Sequence, residues 1–371
     1  MRLHIAQNEK IISRCIDNFE QVFPEKNRWI ILPNSARRDF IGDRIGIVKC
    51  DYESEKFRLA VGDVSQYEKI IIHFLTPESA KFVCSIEHPS IYWIEWGADL
   101  YNELLYLKGF PLYEDDSRLR KFSRYGWMGP LYSLLHKARK RKRQKLFLAA
   151  AMKMKYFVPD SMYDEYPMLL GYYPELKHLE YREFYYYPIN EVLGEGYQER
   201  YSKGNNIILG NSASLTGNHY EALDILSKID LQDRKIIIPL SYGSSQYADD
   251  VEAYGLAKIG DGVHTLREYM ALDKYNEILE SANIFVYNNY RQEAVGNILV
   301  ALYLGGKVFL NERNPLLPFY KRLGLAIYPL GDLSKSGGLD PLSKDDVDKN
   351  RGILMKLYSR ERQLQLIKEN M

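Results

Sequence analysis

Short apolar runs alternate with amphipathic stretches over the first hundred residues of the chain. The apolar runs, which predict strands, lie at residues 3–6, 29–32, 45–49, 69–75 and 91–96. The clearest amphipathic stretches, which predict helices, lie at residues 9–22 and 77–86. Strands that are apolar at successive positions are typical of a parallel sheet covered by helices on both faces. The pattern therefore predicts a doubly wound α/β domain.

The same alternation resumes after a middle region, residues 101–200, that is rich in Tyr, Lys and Arg. Within it, residues 129–154 predict a helix, and residues 178–188 predict a strand or an extended linker. In the last part, predicted strands lie at residues 206–209, 235–240, 256–259, 284–287, 307–310 and 326–328. Predicted helices lie between them at residues 220–229, 245–254, 274–281, 296–304 and 317–323.

Two doubly wound units predict two Rossmann-like domains. We place them at residues 1–195 and 196–342, because the polar, glycine-bearing stretch 195–206 is typical of a linker. A final predicted helix, residues 343–371, is expected to pack on the first domain. Ligands of open parallel sheets bind beyond the carboxyl ends of the strands, so we expect the two domains to face a cleft.

Composition narrows the class of protein. The chain has 371 residues and a formal net charge of +1, so no global field attracts it to nucleic acid. Its cysteines, Cys15, Cys50 and Cys84, are widely spaced, which argues against a disulfide framework or a zinc knuckle. The chain starts with a predicted strand rather than a signal peptide, and it lacks an apolar stretch of about 18 residues. We expect a cytoplasmic protein.

The strand at residues 206–209 runs into a loop of small polar residues that precedes a helix. Small residues let the backbone approach a phosphate, and the N–H groups of a helix start favour an anion. The candidates for a diphosphate cradle are therefore Gly210, Asn211, Ser212, Ser214, Asn218 and His219. The alternative is a plain strand-to-helix turn in which Ser and Asn cap the helix.

Three further strand ends of this domain carry candidate side chains. Tyr242, before Gly243, is either a ring that stacks on a base or sugar or a core-edge aromatic. Arg291 is either a bidentate partner of a diphosphate or a surface arginine on a loop. Glu312 either accepts the hydroxyls of a ribose or forms a salt bridge with Arg313. The segments that contain Arg291 and Glu312 add Gln292, Gly296, Asn297 and Asn314 to the candidate donor-binding residues.

The first domain contributes one candidate catalytic residue. Asp99 follows the predicted strand 91–96, where it either orients or deprotonates an acceptor hydroxyl or caps a helix. The acidic pairs do not follow apolar strands as a nucleotide–metal site requires; they are Asp115-Asp116, Asp249-Asp250 and Asp345-Asp346. We therefore expect no metal and no other cofactor, with Arg291 and helix starts in place of a cation.

The densest positive charge of the chain lies at residues 137–145, and its central residues are Arg139, Lys140, Arg141, Lys142 and Arg143. Apolar residues, among them Trp127 and Met128, precede this basic run. Such a run is either a solvated helix face or a patch that docks on anionic lipid headgroups. The near-neutral total charge argues against nucleic acid as the partner.

Several of these segments resemble one enzyme family. They are residues 92–101 (YWIEWGADLY), residues 209–212 (LGNS), Asn218-His219, Pro239 with Tyr242-Gly243, Arg291-Gln292 with Gly296, and residues 306–315 (GKVFLNERNP). The chain resembles the bacterial TDP-4-acetamido-4,6-dideoxygalactose (TDP-Fuc4NAc):lipid II Fuc4NAc transferases of glycosyltransferase family 56, also called 4-alpha-L-fucosyltransferases. The resemblance is strong over residues 205–330, local at 91–101 and faint at 105–195.

The resemblance implies the GT-B architecture, with the donor bound by the second domain and the acceptor by the first. It implies transfer of a Fuc4NAc-like sugar from a TDP-sugar to an undecaprenyl-diphosphate-linked glycan, as in enterobacterial common antigen synthesis. It also implies a peripheral location on the cytoplasmic face of the bacterial inner membrane. Two alternatives stay open: a nucleotide-sugar 2-epimerase of the same fold, and a non-catalytic sugar-binding protein.

Overall fold

The computed structural model describes residues 1–34, 39–44, 46–114 and 129–371. Within this part, the chain forms two compact units. Unit 1 consists of Met1–Phe110, Leu134–Tyr186 and Glu361–Met371. Unit 2 consists of Tyr187–Arg360 and Pro111–Ser133, of which residues 115–128 lie outside the described part. The chain therefore leaves unit 1 and returns to it twice.

Unit 1 is built on a parallel sheet that has seven strands among the described residues, in the order β3-β2-β1-β4-β5-β6-β7. The strands are β1 (Arg2–Gln7), β2 (Asn27–Leu32), β3 (Ile47–Lys49), β4 (Lys69–His73), β5 (Ile91–Glu95), β6 (Tyr156–Pro159) and β7 (Glu180–Tyr181). The helices are α1 (Lys10–Val22), α2 (Glu55–Val61), α3 (Pro77–Ser85), α4 (Gly129–Lys153), α5 (Glu165–Tyr172) and α13 (Arg360–Asn370). A π-helical segment, Ala98–Leu105, follows β5.

A chain of polar side chains crosses the apolar core of unit 1. His4 Nε2 lies 3.2 Å from Asn27 Oδ1, His4 Nδ1 lies 3.0 Å from His73 Nε2, and His73 Nδ1 lies 2.5 Å from the Tyr186 hydroxyl. Because the Asn27 amide nitrogen donates to Phe23 O, its Oδ1 accepts from His4, and Tyr186 donates to His73. Burial lowers the pKa of both histidines, that of His73 to about 3, so both rings are neutral.

Unit 2 is built on a second parallel sheet, with six strands among the described residues, in the order β10-β9-β8-β11-β12-β13. The strands are β8 (Asn206–Leu209), β9 (Ile236–Pro239), β10 (Val263–Leu266), β11 (Ala282–Tyr287), β12 (Lys307–Leu310) and β13 (Ile327–Pro329). The helices are α6 (Ile189–Leu193), α7 (His219–Leu226), α8 (Ser245–Ile259), α9 (Leu272–Glu280), α10 (Val295–Tyr303), α11 (Leu316–Arg322) and α12 (Lys344–Tyr358). The predicted α/β class with two doubly wound sheets is confirmed.

Two sequence predictions about single elements are wrong. Residues 256–259 form the last turn of α8 instead of a strand, and Gly255 lies inside that helix, where a Cβ atom would lie 3.1 Å from Val263 Cγ1. The strand at this edge of the sheet is β10. The exposed His264 interrupts its apolar residues, so the sequence shows no apolar run there. The predicted terminal helix consists of α12 and α13, because Ser359 between them is extended (ψ 158°).

None of the helices in the described part of the chain combines the length and the apolarity that a membrane span requires.

Candidate functional site

The strand order of unit 2 reverses between its two central strands, β8 and β11. From β8 the chain continues to β9 and β10 on one side, and from β11 it continues to β12 and β13 on the other. Loops that leave two such strands diverge, and ligands of open parallel sheets bind in the gap between them. The candidate site is therefore built by the loops at residues 210–218 and 288–294.

The cradle loop, residues 210–214, begins with a glycine that no other residue can replace without strain. Gly210 has a φ of 70°, and a Cβ atom there would lie 2.7 Å from His219 Nε2. Its N–H group donates to Val286 O of β11 over 2.8 Å, which ties the loop to the neighbouring strand. A 3₁₀ turn, Leu215–Gly217, connects the cradle loop to α7. The helix begins at His219, one residue before the predicted start at residue 220.

Gly243 brings the loop after β9 against the cradle loop. Ala213 N donates to Tyr242 O over 2.6 Å, and Ser244 N donates to Ala213 O over 3.0 Å. Gly243 has a φ of 116°, and a Cβ atom there would lie 2.5 Å from Ala213 O, so the contact requires glycine. The Tyr242 side chain is 64% exposed, which leaves its ring accessible to a ligand.

His219 lies beneath the cradle loop. Its ring is fully buried, Nδ1 lies 3.1 Å from the Tyr247 hydroxyl, and Nε2 has no hydrogen-bond partner among the described residues. Burial lowers the pKa of His219 to about 4, so the ring is neutral at pH 7. Its contact with Gly210 places it where it supports the backbone of the loop, and as a neutral ring it adds no cation for a phosphate.

Two consecutive asparagines after β11 connect the two loops of the site. Asn288 Nδ2 donates to Asn218 O over 2.8 Å, and Asn289 Nδ2 donates to Thr216 O over 3.1 Å. Asn218, with a left-handed φ of 48°, accepts a hydrogen bond from Glu114 N at its Oδ1 over 2.9 Å. The asparagines at 288 and 289 were not among the sequence candidates, although they follow an apolar strand as Arg291 does.

Arg291 is held in the same gap. Its side chain is only 8% exposed, Nη2 lies 2.9 Å from Glu293 Oε2, and Nη1 donates to Gln292 O over 2.7 Å. The same carboxylate oxygen of Glu293 accepts from Thr216 Oγ1 over 2.6 Å. Ser214 Oγ lies 2.7 Å from Thr216 Oγ1, so the cradle loop, Thr216, Glu293 and Arg291 form one network. No spacing pattern singled out Thr216 or Glu293 in the sequence.

The start of α10 places the remaining candidates of this segment mainly in packing roles. A Cβ atom at Gly296 would lie 2.8 Å from the ring of Tyr187, so Gly296 allows close packing. Asn297 Nδ2 donates to the Tyr275 hydroxyl over 3.4 Å, and Gln292 is buried. The helix is preceded by Ala294 in a left-handed conformation (φ 62°), which sets the direction in which α10 leaves the site.

The loop after β12 has one exposed and one buried candidate. Glu312 is exposed, and its Oε1 accepts from Gly331 N over 2.7 Å, which fixes one oxygen of the carboxylate. Arg313, the alternative partner of Glu312, lies over the ring of Tyr290 at 4.7 Å. Asn314 is buried, and its Nδ2 donates to Arg291 O over 3.0 Å, so it links this loop to the Arg291 loop.

Asp99 in unit 1 is not placed where it could reach an acceptor hydroxyl. Its carboxylate is fully buried and accepts hydrogen bonds from Leu75 N (2.9 Å), Trp96 N (2.9 Å) and Trp93 Nε1 (2.7 Å). Burial raises its pKa, although the three donors oppose that shift. These contacts shape the turn between β5 and the π-helical segment that follows it.

Further buried carboxyl groups, which the sequence did not reveal, lie near Asp99 in unit 1. Burial raises the pKa of Glu95 to about 8 and that of Asp160 to about 7, and it raises the pKa of Glu165 as well. Glu95 raises the pKa of the neighbouring Glu165 further through its charge, whereas Glu165 lowers that of Glu95 by hydrogen bonding to it. Glu95 and Glu165 are therefore largely protonated at pH 7 and do not repel each other as two anions.

The basic run lies on α4, and its members differ in exposure. Arg143 Nη2 lies 2.6 Å from Glu103 Oε1, and Lys140 lies over the ring of Tyr106 at 4.3 Å. Arg139, Arg141 and Lys142 are exposed. Arg143 is exposed too, but its charge is paired with that of Glu103, whereas Lys140 is only partly exposed. The apolar neighbours Trp127 and Met128 lie outside the described residues, as does the acidic pair Asp115-Asp116.

In the part of the chain that the structure describes, no group of three His, Cys, Asp or Glu side chains is arranged to hold a metal ion. The expected independence of the reaction from metal stays a prediction.

Known proteins share both the fold and part of the sequence. The family described as 4-alpha-L-fucosyltransferase glycosyl transferase group 56 matches residues 169–330. Three similar structures are a sucrose-phosphate synthase from Thermosynechococcus elongatus (TM-score 0.65, 10% identity, covering 98% of this chain and 96% of that one), a glycosyltransferase from Rickettsia africae ESF-5 (0.58, 11%, 98% and 95%) and the lipopolysaccharide glycosyltransferase WaaG (0.58, 9%, 100% and 100%).

At these identities the structural neighbours establish the fold alone, and the family match adds the activity. The matched region contains every candidate donor-binding residue of unit 2. The match confirms the predicted resemblance to glycosyltransferase group 56 over residues 169–330, and the protein is a hexosyltransferase with the GT-B fold.

Proposed function

We propose that the protein transfers a 4-acetamido-4,6-dideoxyhexose, a Fuc4NAc-like sugar, from a TDP-sugar to an undecaprenyl-diphosphate-linked glycan in cell-surface polysaccharide synthesis. One observation carries the donor half of this proposal: Arg291, the Thr216 hydroxyl and the cradle loop converge where the strand order of unit 2 reverses. A cation, hydroxyl donors and closely accessible backbone are what a departing diphosphate requires.

In the proposed reaction, an acceptor hydroxyl attacks the anomeric carbon of the donor, the bond from that carbon to the diphosphate breaks, and the hydroxyl proton is released to water. Arg291 stabilises the negative charge that develops on the leaving diphosphate. Glu312 holds the ribose with its second carboxylate oxygen, since Gly331 N occupies the first. We assign Asp99 to shaping the turn after β5, because three N–H donors already occupy its buried carboxylate.

The acceptor is proposed from the resemblance and from the exposed charge of α4. Arg139, Arg141 and Lys142 would attract the anionic surface of the inner membrane, where a polyprenyl-diphosphate glycan resides. No metal or other cofactor is assigned a role, and nucleic acid is not expected as a partner.

The test is release of TDP from TDP-Fuc4NAc in the presence of a polyprenyl-diphosphate-linked glycan. We expect Arg291→Ala to lower kcat by about 100-fold or more, as loss of one charge-stabilising donor does in other enzymes, and Glu312→Ala to raise the donor KM. Arg234→Ala is the matched control, since Arg234 precedes β9 at the opposite end of the sheet. If both site variants keep full turnover, the donor site lies elsewhere.

A further inference from the structure

Glu293 contacts two groups of the candidate donor site that could bind a phosphate group instead. Its Oε2 accepts from Thr216 Oγ1 over 2.6 Å and lies 2.9 Å from Arg291 Nη2. Because the single hydroxyl hydrogen of Thr216 points to this carboxylate, Ser214 donates to Thr216 across their 2.7 Å contact. Arg291 and Thr216 thus contact one carboxylate oxygen of Glu293 directly, and Ser214 is linked to the same oxygen through Thr216.

Other buried polar atoms around Glu293 lack partners. Arg291 Nε and Asn289 Oδ1 are buried, and neither has a hydrogen-bond partner among the described residues. Buried polar atoms are nearly always paired in folded proteins, so two unpaired atoms at one site indicate groups that a ligand completes. Nε is a donor that suits a phosphate oxygen, and Oδ1 is an acceptor that suits a sugar hydroxyl.

The Glu293 carboxylate and a bound diphosphate would repel each other if both occupied this gap, at a cost in binding free energy. The Glu293 side chain is 12% exposed and that of Arg291 is 8% exposed, so water screens charges here only weakly. Two anions that compete for one guanidinium and one hydroxyl repel each other in such surroundings. The anion that binds more tightly displaces the other.

We propose that Glu293 occupies the diphosphate position of the unliganded enzyme and swings away when the donor binds. The inference rests on the proposed donor site and adds a function for a residue within it. Glu293 satisfies Arg291 and Thr216 while the site is empty, and it weakens the hold on the nucleoside diphosphate once the sugar has been transferred. It is a positioning residue that favours product release.

Calorimetric titration of the full chain with TDP, UDP and inorganic pyrophosphate tests this role. Glu293→Gln keeps the shape of the side chain and removes its charge, so we expect it to bind TDP and pyrophosphate at least about tenfold more tightly than wild type. Glu280→Gln is the matched control, because Glu280 is a similarly buried carboxylate of unit 2 that pairs with Arg200 and lies outside the site. Its affinity for both ligands should equal that of wild type.

Affinity that is unchanged or weaker in Glu293→Gln would overturn the inference, since it would mean that the carboxylate is indifferent to the ligand or binds it. Glu293→Asp keeps the charge but shortens the side chain, and we expect an intermediate affinity; thermal unfolding confirms that each variant is folded.

Turnover supplies a second readout: Glu293→Gln should lower the donor KM and strengthen inhibition by TDP. If pyrophosphate binding responds as expected but TDP binds no better than UDP, the proposed donor fails while the role of Glu293 stands.

Discussion

Asn218 and Asn288 each donate a side-chain amide hydrogen to the main-chain carbonyl oxygen of the other, over N···O distances of 3.1 and 2.8 Å. Both side chains are fully buried. Because one residue belongs to the loop after β8 and the other to the loop after β11, this reciprocal pair fixes the width of the gap between the loops. A ligand that enters the gap therefore meets two loops whose backbones are already fixed, which lowers the entropic cost of binding.

Loss of this pair should weaken both the fold and donor binding. Asn288→Ala removes a donor from Asn218 O, removes one of the two donors to Glu221 Oε2 and leaves the Asn311 side-chain N–H without its acceptor, so we expect a loss of about 1–3 kcal/mol in the free energy of unfolding. Asn218→Gly should cost less than Asn218→Ala, because glycine tolerates the left-handed φ of 48°. Urea unfolding and TDP titration measure both effects. Equal losses for the two Asn218 variants would contradict the backbone argument.

Asp99→Asn separates a structural role from a role as catalytic base. An asparagine directs an NH₂ group at one or more of the N–H donors of Leu75, Trp93 and Trp96, so we expect the free energy of unfolding to fall by about 1–3 kcal/mol. The pH dependence of kcat should keep its shape in the folded variant. A base would instead show a large loss of kcat with little change in stability, and that result would restore Asp99 as the base.

The stability of unit 1 should decrease as pH rises above neutrality. Glu95 and Asp160 have a raised pKa, about 8 and about 7, so between their ordinary values and these values the folded state binds more protons than the unfolded state. Their contribution is complete below the ordinary pKa values, falls by about 1.4 kcal/mol for each pH unit above them, and is fully lost once pH has passed 7 for Asp160 and 8 for Glu95. Urea unfolding followed by the fluorescence of Trp29, Trp93 and Trp96, which lie in unit 1, measures this decline.

One variant tests that assignment. Glu95→Gln carries no titratable proton, so the decline between pH 6.5 and 8.5 should become shallower. Below pH 6.5 the histidines act in the opposite direction: their lowered pKa means that the unfolded state binds more protons, and stability falls as pH falls. A free energy of unfolding that stays constant from pH 6.5 to 8.5 in the wild type would refute the buried-acid argument.

Replacement of the exposed basic residues of α4 should abolish binding to anionic vesicles. Arg139, Arg141 and Lys142 face solvent, and each basic residue near an anionic surface contributes about 1 kcal/mol. A triple replacement by Gln should reduce cosedimentation with phosphatidylglycerol vesicles by about two orders of magnitude, and added salt should weaken wild-type binding. Arg143→Gln, which removes a charge that is paired with Glu103, is the control and should have a smaller effect. Vesicle binding that salt does not change would rule out this patch.

The central strands could be predicted from the sequence because they are buried on both faces. β4 and β8 each contain three consecutive apolar residues, at 70–72 and 207–209, and the predicted central strands agree with the structure within two residues at their ends. Edge strands such as β10 carry exposed polar residues and lose that signal, which is why β10 was missed. The short helices α2 and α5 were missed for a similar reason, since neither has a long amphipathic repeat.

The candidate site was only partly predictable. Gly210 and Arg291 follow apolar strands, and parallel strands bring their carboxyl ends to one edge, so these residues could be found from order alone. Thr216 and Glu293 belong to the site because a 3₁₀ turn and a left-handed alanine redirect the chain, and neither feature leaves a pattern in the sequence. The burial of Asp99 could not be predicted either, because the sequence around an aspartate after a strand does not show whether its carboxylate faces solvent or accepts from three N–H groups.

The return of α13 to unit 1 has a consequence for how the protein is made. Gln363 donates to Tyr185 O and accepts from Asn18, so the core of unit 1 needs a residue that follows the whole of unit 2 in the sequence. Unit 2 needs no residue beyond Arg360. Every residue of unit 2 is therefore synthesised before α13, and the half that contains the N-terminus must wait for the whole of unit 2 with one face of its core uncovered.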